Sequence, residues 1–551
     1  MSLLTQASLV VTPNGVKEGK LYSVIPSDGS GDMSVVRATT ATRVNSSGLV
    51  ELVPYNLVQY SEQLDNAAVW VAYSGTTTTA NAATAPNGTL TADRIQGATG
   101  AFRGVRQSIA FQVSTCTFSV YLKSATGANQ NARIWIGATS QVVALTNEWQ
   151  RFTLTAVPTT ATFDIQISTA ISASIDVYAW GAQLVEGSTA KDYQKTETRL
   201  NIPRLDYSNG TCPSLLVEPQ RTNLVTYSSS FDNAAWNKET GNSITSNTTI
   251  SPSGIQDADT LTATNGNGMN CYQVTPSLLT GTHTYSAYVK SNGTNLIDLY
   301  VFAVGIGFAS RGQINFSAET FTVSIGGTGM IENAGNGWYR ISLTNTYNAF
   351  LSCGFLTDST TGTRSVNIWG AQLEAGSYPT SYIPTTSASV TRNADVISKT
   401  GISSLIGQTE GTLFVDVDFT HNNKGVYEYL AQVWEDNSNR ILLYRSSNAK
   451  IGAYILRSGS IIYNFESLIV TNGKHKIAFV YKSGDIVFYI DGVAVNSSTL
   501  SFTAFSSMSN YDLGIHNASG SSIEIGDYPY SSAALWKTRL TNTQLASLTT
   551  L

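Results

Sequence analysis

Ser119-Val-Tyr-Leu-Lys-Ser124 reads as a strand, and it returns 167 residues later as Ser286-Ala-Tyr-Val-Lys-Ser291. In the first copy Phe118, Val120 and Leu122 alternate with Ser119, Tyr121 and Lys123. A period of two puts one set on a core face and the other outward, the pattern of a half-buried strand. Working outward at the same offset, Asn56-Leu-Val-Gln-Tyr-Ser-Glu-Gln-Leu-Asp-Asn-Ala-Ala68 reappears as Asn223-Leu-Val-Thr-Tyr-Ser-Ser-Ser-Phe-Asp-Asn-Ala-Ala235. Farther along, Ala179-Trp-Gly-Ala-Gln-Leu-Val-Glu-Gly187 returns as Ile368-Trp-Gly-Ala-Gln-Leu-Glu-Ala-Gly376, with the offset grown to 189. The second copy therefore carries 22 extra residues, placed before its Trp338 segment. Within them Ile314-Asn-Phe-Ser-Ala-Glu-Thr-Phe-Thr-Val-Ser324 predicts an extra hairpin near 311–332. Two copies at so long a period are tandem globular modules, because solenoid repeats run about 20–50 residues.

The module edges carry their own echo. Thr42-Arg43-Val-Asn45 recurs as Thr198-Arg199-Leu-Asn201 and, more weakly, as Thr391-Arg392-Asn393. These marks divide the chain into a leading segment 1–50, a module 51–198, a linker 199–214, a second module 215–390, a linker 391–410 and a third, unrelated domain 411–551. Short alternating runs between Gly, Asn and Ser turns predict an all-β protein: tandem β-sandwich (jelly-roll) domains followed by a C-terminal sandwich. Within 411–551, a pair of alternating runs meets around Ser483-Gly484-Asp485 as a hairpin. A short helix should follow Thr541 as its N-cap.

Composition narrows the function classes. Charged residues are 13% of the 551 and the net charge is −5, against about 25% charged in ordinary soluble proteins. Neither a nucleic-acid footprint nor a polybasic membrane patch exists. The longest apolar run, Leu299 to Ser310, is too short for a bilayer, which needs about 20 residues; its large–small alternation predicts one half-buried strand. The N-terminus lacks the basic and apolar regions of a signal peptide. Cys116, Cys212, Cys271 and Cys353 do not match between the copies, so all four read as ordinary buried thiols of a protein made in a reducing cytoplasm.

Two resemblances carry the reading further. The Gly473–Val493 hairpin and the closing Ala534-Leu-Trp-Lys-Thr-Arg-Leu-Thr-Asn-Thr-Gln-Leu545 look like laminin-G/concanavalin-type lectin domains. Leu215-Leu-Val-Glu-Pro-Gln-Arg-Thr-Asn-Leu224, Asp232-Asn-Ala-Ala-Trp236 and Trp369-Gly-Ala-Gln-Leu-Glu374 make the repeated modules similar to the carbohydrate-binding-module jelly rolls of bacteriophage fibre and tail proteins. The stretch through Arg43 also resembles openings of such proteins. The resemblance implies a non-enzymatic virion appendage, a fibre or decoration on the particle surface. It would join capsid or tail proteins through residues 1–50, form a homotrimer, and offer its C-terminal domain to host surface glycans. The rivals are a tail-associated polysaccharide depolymerase and a purely structural capsid decoration that binds no glycan.

The candidate carbohydrate site is the stretch Trp434-Glu-Asp-Asn-Ser-Asn-Arg440. Trp434 offers a stacking face, while Asp436, Asn437, Asn439 and Arg440 offer planar polar groups, the combination that a sugar's two kinds of surface require. No cofactor is needed; Asp416 with Asp418, and Asp485 with Asp491, are the carboxylates that calcium would use. Trp149, Trp338, Trp180 and Trp369 read as core, and Trp70 and Trp236 are open between core and loop. His283, His421, His475 and His516 never fall at helical metal-ligand spacing, and no nucleophile elbow is apparent.

Overall fold

A computed structural model describes residues 3–100, 102–111, 114–169, 173–264, 266, 268–357, 361–420, 427–514, 526 and 528–551. The chain forms two compact units, Leu52–Leu200 and Met1–Glu51 with Asn201–Leu551. The described residues are almost wholly β, with one α-helix at Asn542–Thr549. Its N-cap is Thr541 in a reciprocal capping box with Gln544. No helix among the described residues is long and apolar enough to cross a membrane.

Leu52–Leu200 is a sandwich of two five-stranded antiparallel sheets. One runs Gln150–Ala156, Cys116–Ser124, Ala173–Glu186, Leu90–Gly100, Thr76–Thr84; the other runs Thr139–Leu145, Gln130–Ile136, Thr162–Ser168, Gly104–Ala110, Val71–Ala72. Phe118, Val120 and Leu122 point into a core with Ile134, Ile165, Val177 and Leu184. The second module repeats this order: Trp338–Ala349, Leu279–Ser291, Arg364–Ala375, Ala258–Ala263, Asn242–Thr249 in one sheet. Gly307–Asn315, Leu296–Ala303, Leu351–Thr357, Met269–Val274 and Asn237–Lys238 make the other.

The repeated Trp-Gly-Ala-Gln-Leu motif marks a β-bulge. Pairing runs Ser119 with Gln183, then skips to Tyr121 with Trp180; in the second module it runs Ser286 with Gln372, then Tyr288 with Trp369. Gly181 and Gly370 sit at the bulge with φ of 64° and 63°, a left-handed backbone that a side chain disfavours.

Three sequence expectations change here. The 22 extra residues do not make a self-contained hairpin. Ile314 and Asn315 end a strand that has its counterpart in the first module, and the added strands are Thr320–Ile325 and Thr328–Asn333, one joining the edge of each sheet. The apolar run from Leu299 is two strands, not one, because Gly305 turns the chain at φ 80° and leaves Ile306 79% exposed. Of the cysteines, Cys116, Cys271 and Cys353 are buried, but Cys212 is exposed in the turn before Ser214–Val217.

The largest difference concerns the segments expected to stand apart. Leu9–Lys17 pairs with Tyr528–Trp536, setting Leu9 opposite Leu535, and Met33–Val36 pairs with Val396–Lys399. In order, the C-terminal sheet runs Ser460–Ile469, Lys450–Arg457, Asn439–Arg445, Glu428–Asp436, Asn510–Leu513, Val396–Lys399, Met33–Val36, Lys20–Ile25, Leu9–Lys17. It continues through Tyr528–Trp536, Glu410–Phe419, Gly473–Lys482, Ile486–Ile490 and Val493–Ser498. The 199–214 stretch, expected as a linker, contributes Arg204–Asp206, which pairs with Ser214–Val217 and through it with Tyr528–Trp536. One core collects Leu9, Val11, Leu21 and Met33 with Leu215, Ile397, Leu413, Ile441 and Phe479. Residues 1–50 and 391–410 are thus strands of the third domain, because the 411–551 strands alone leave the edges at 510–513 and 528–536 unpaired.

The same segments carry buried charges that meet Glu218 of the second module. Arg204 bridges Glu218 (2.5 Å) and Asp395, Arg37 reaches Asp395 (2.6 Å), and Arg392 reaches Glu218 (2.6 Å). Ser381 adds hydrogen bonds to Glu218 and receives them from both Arg204 and Arg392. Burial alone would raise the Asp395 carboxyl, but Arg204, Arg37 and Arg392 outweigh it and hold it below the usual range.

Candidate functional site

Trp434 and Arg440 do not lie in a loop. They are a cross-strand pair at the ends of Glu428–Asp436 and Asn439–Arg445, so the turn is only Asn437-Ser438. Asp436 and Asn439 close that turn: the Asp436 carboxylate accepts from the Ser438 N–H (2.7 Å) and from Asn439 Nδ2 (3.0 and 3.1 Å). Asn439 Oδ1 accepts from Arg457 Nη1 (2.6 Å) and the Ser458 N–H (3.0 Å). These two side chains are engaged in holding the hairpin, whereas Asn437 is exposed and Arg440 half-buried.

Alternation shows which face Trp434 and Arg440 share. Val433, Ile441, Leu443, Ile451, Ala453 and Ile455 enter the core. Gln432 and Trp434, Arg440, Leu442 and Tyr444, and Tyr454 therefore point the other way, in register across three strands. Asn464 and Glu466 extend the row on one side, Asn510 and Asp512 on the other. Asp512 Oδ2 accepts from Trp434 Nε1 (2.8 Å) and Gln432 Nε2 (2.7 Å), which fixes the indole plane. Tyr444 OH donates to Asn464 Oδ1 (2.9 Å), and its ring lies 5.8 Å from that of Tyr427, which is 48% exposed. Burial holds the Tyr444 hydroxyl protonated well above the usual range. The result is an aromatic and amide layer on the face of the sheet away from that core: Gln432, Leu442, Tyr444 and Asp512 are buried within it, Trp434, Arg440 and Tyr454 are half-buried, and Tyr427 is exposed.

The aromatic side chains missed in the sequence are Tyr427, Tyr444 and Tyr454. Their signal was the alternation of Tyr444 with Leu443 and of Tyr454 with Ala453 and Ile455. It was hidden because strand pairing, not sequence distance, brings them beside Trp434.

Of the carboxylates considered for calcium, Asp416 lies close enough to Asp418 and Asp491 for both to push its carboxyl up, but the partners of all four are cations or neighbours on the sheet. Asp416 and Asp418 lie opposite Lys476 and Lys474; burial pushes both carboxyls up against the pull of those lysines. Asp485 pairs with Arg539 (2.9 and 3.0 Å), and Asp491 pairs with His475 (2.6 Å). Among the described residues no group of three or more His, Cys, Asp or Glu is placed to hold a metal. His283 is buried in a strand; His421 and His516 lie outside the described residues.

In the two modules Trp70 and Trp236, left open by the sequence, are core residues 1% exposed, each donating Nε1 to the carbonyl of Tyr60 or Tyr227. Trp180, Trp338 and Trp369 are also buried. Trp149, expected in the core, is half-buried.

No family model and no curated protein sequence matches the chain. Among solved structures, the chain is similar to the CBM40 domain of the Ruminococcus gnavus IT-sialidase at 13% identity, covering 27% of this chain and 86% of that one with a TM-score of 0.24. It is similar to the N-terminal CBM22-1–CBM22-2 tandem of Paenibacillus barcinonensis Xyn10C at 12% identity, over 58% of this chain and 97% of that one, TM-score 0.20. A third likeness is domain 4 of AbnA, a GH43 extracellular arabinanase from Geobacillus stearothermophilus solved with arabinotriose, at 15% identity over 31% and 82%, TM-score 0.23. Likeness at this level transfers no residue and no ligand.

Proposed function

We propose that the protein is a non-catalytic glycan-binding appendage whose C-terminal sheet meets carbohydrate on the face that carries the half-buried Trp434 and Tyr454 and the exposed Tyr427. The observation that carries it is the layer itself: a hydrogen-bonded indole, tyrosines and amide groups in register on one sheet face. Sugars present flat C–H faces and directional hydroxyls together, and that layer answers both. The sequence resemblance to bacteriophage fibre proteins supports a place on a virion surface, where many copies act at once. Avidity then exceeds the affinity of one site by about 10²–10⁴, so each contact can be weak.

The test is a glycan array probed with the full chain, since residues 411–551 lack strands that complete their sheet. Saturable binding to host surface glycans, lost in Trp434→Ala with the fold retained, is expected. Absence of any binding rejects the reading, and release of reducing sugar ends during incubation favours the depolymerase instead. Labelled antibody on intact particles separates head, tail and non-virion locations.

A further inference from the structure

The outer face of one sheet in each module carries the same aromatic platform. In the second module it is Tyr288, Trp338, Trp369 and Tyr382 with Ala258 beneath; in the first it is Tyr121, Trp149, Trp180 and Tyr193 with Ala92. Details repeat closely. Arg340 lies 5.4 Å from the Tyr288 ring and Arg151 lies 5.5 Å from that of Tyr121. Tyr382 and Tyr193 bond Ser228 and Ser61. Trp338 Nε1 donates to the Ile250 carbonyl and Trp149 Nε1 to that of Thr84. Beside each platform a tight turn, Ser251–Ile255 or Ala85–Thr89, closes with the same pair of backbone bonds.

What differs is the cover. The hairpin of Ala41–Val44 and Val50–Val53 lies on the second platform. Val50 joins its rings and donates its N–H to the Pro252 carbonyl (2.9 Å), and Thr42 Oγ1 donates to the Tyr382 carbonyl. Leu49 sits where a Cβ on Gly254 would meet it at 2.7 Å. Under this cover Trp338 is 0% exposed and Pro252 is buried. In the first module a Cβ on the equivalent Gly88 would meet nothing within 4 Å. There Pro86 is exposed, and Tyr121, Trp149 and Tyr193 are only half-buried. Lys123 lies over the Trp149 ring at 5.0 Å; its counterpart Lys290 coexists with the cover in the second module, so the cation does not exclude one.

We propose that the platform of Tyr121, Trp149, Trp180 and Tyr193 is a docking site for an extended β-hairpin of another protein. That hairpin presents two adjacent aliphatic side chains and a free main-chain N–H for the Pro86 carbonyl, as Leu49 and Val50 do on the second module. A second copy of this chain does not satisfy the site, because among the described residues each chain has one such hairpin and two platforms, and its own hairpin is already seated. The exposed Pro86 carbonyl beside half-buried aromatic rings fits a polypeptide edge, in which N–H groups and aliphatic side chains alternate.

The probe is a cyclised peptide of residues 41–53, fluorescently labelled and titrated into the full chain. The expected result is saturable binding of one peptide per chain, weakened tenfold or more by Trp149→Ala in the protein or by Val50→Asp in the peptide. Hydrogen exchange provides a readout that needs no variant: the peptide should protect 83–90 and 147–151 and leave 250–256 unchanged. No saturable binding overturns the proposal. So does protection confined to 250–256, which means the peptide only displaces the resident hairpin. Oligosaccharide binding that is lost in Trp149→Ala, without peptide binding, assigns the platform to sugars and equally overturns it.

Discussion

The two modules share a strand order, a bulge and an aromatic platform, yet one platform is sealed by a distant segment of the chain and the other stays half-open. In the second, Val50 of the leading hairpin seals Trp338, and Arg204, Arg392, Asp395 and Glu218 tie its entry and exit segments to the C-terminal sheet. The first keeps Trp149 half-buried. The same local sequence therefore gives the same module, but its surface is decided by which distant segment returns to it. Duplication supplies two platforms, and a single hairpin differentiates them.

The bluntest way to break this comparison is to delete residues 1–51. The deletion uncovers the second platform and removes the strands between Val396–Lys399 and Tyr528–Trp536, so hydrogen-exchange protection of 396–536 should collapse while that of 52–200 persists. Retained protection at 510–513 and 528–536 would mean that the leading strands are accessory.

Asp395→Ala leaves Arg37 and Arg204 buried without their shared carboxylate. Removing one partner of a buried ion pair costs about 3–5 kcal/mol. The denaturant midpoint of the unit containing 201–551 should fall accordingly, with no change for 52–200. The indoles give the direct contrast. Trp338→Ala opens a cavity under its cover and should cost about 3–5 kcal/mol, the range for large aromatic truncations in a core. Trp149→Ala, half-exposed already, should cost about 1 kcal/mol. Equal losses would show that the two platforms contribute alike.

The smallest effect is a shared one. Burial lifts Asp93 and Asp259, counterparts in the two modules, from 3.8 to about 6 despite the backbone N–H groups they accept from. A carboxyl with its folded value raised binds more protons when folded, so stability falls as pH climbs from about 4 to about 6. Asp395 has the opposite sign, its contribution being present above the ordinary carboxyl range and lost only in stronger acid. The unit 52–200 should therefore lose on the order of 1 kcal/mol across pH 4–6 after solvent screening. Asp93→Asn should flatten that slope, as read from urea midpoints at each pH.

Much of the fold was legible because the strand period is local. Phe118, Val120 and Leu122 declare their core face from neighbours two residues away, and the Trp-Gly-Ala-Gln-Leu repeats declare the duplication, whereas the bulge at Gly181 and Gly370 emerged only from the strand register. The candidate site was less legible. Trp434 and Arg440 were visible as a pair of residue types, but their partners Gln432, Asp512, Tyr444 and Asn464 come from four strands, and no spacing along the chain announces them. Asp436 and Asn439 looked like free ligands because a sequence does not show that a two-residue turn consumes them.

What the sequence by itself determined is the duplication, the all-β class, the strand faces and the capped final helix, all set by contacts within a few residues or by internal likeness. The tertiary structure alone decided that Leu9–Lys17 and Met33–Val36 belong to the C-terminal sheet, that Arg204 and Asp395 meet in the interior, and that Trp338 is sealed while Trp149 stays half-open. Those outcomes depend on edge strands finding hydrogen-bond partners, and buried charges finding counter-ions, across hundreds of residues. Nothing in local hydrophobic period records which distant segment will supply them.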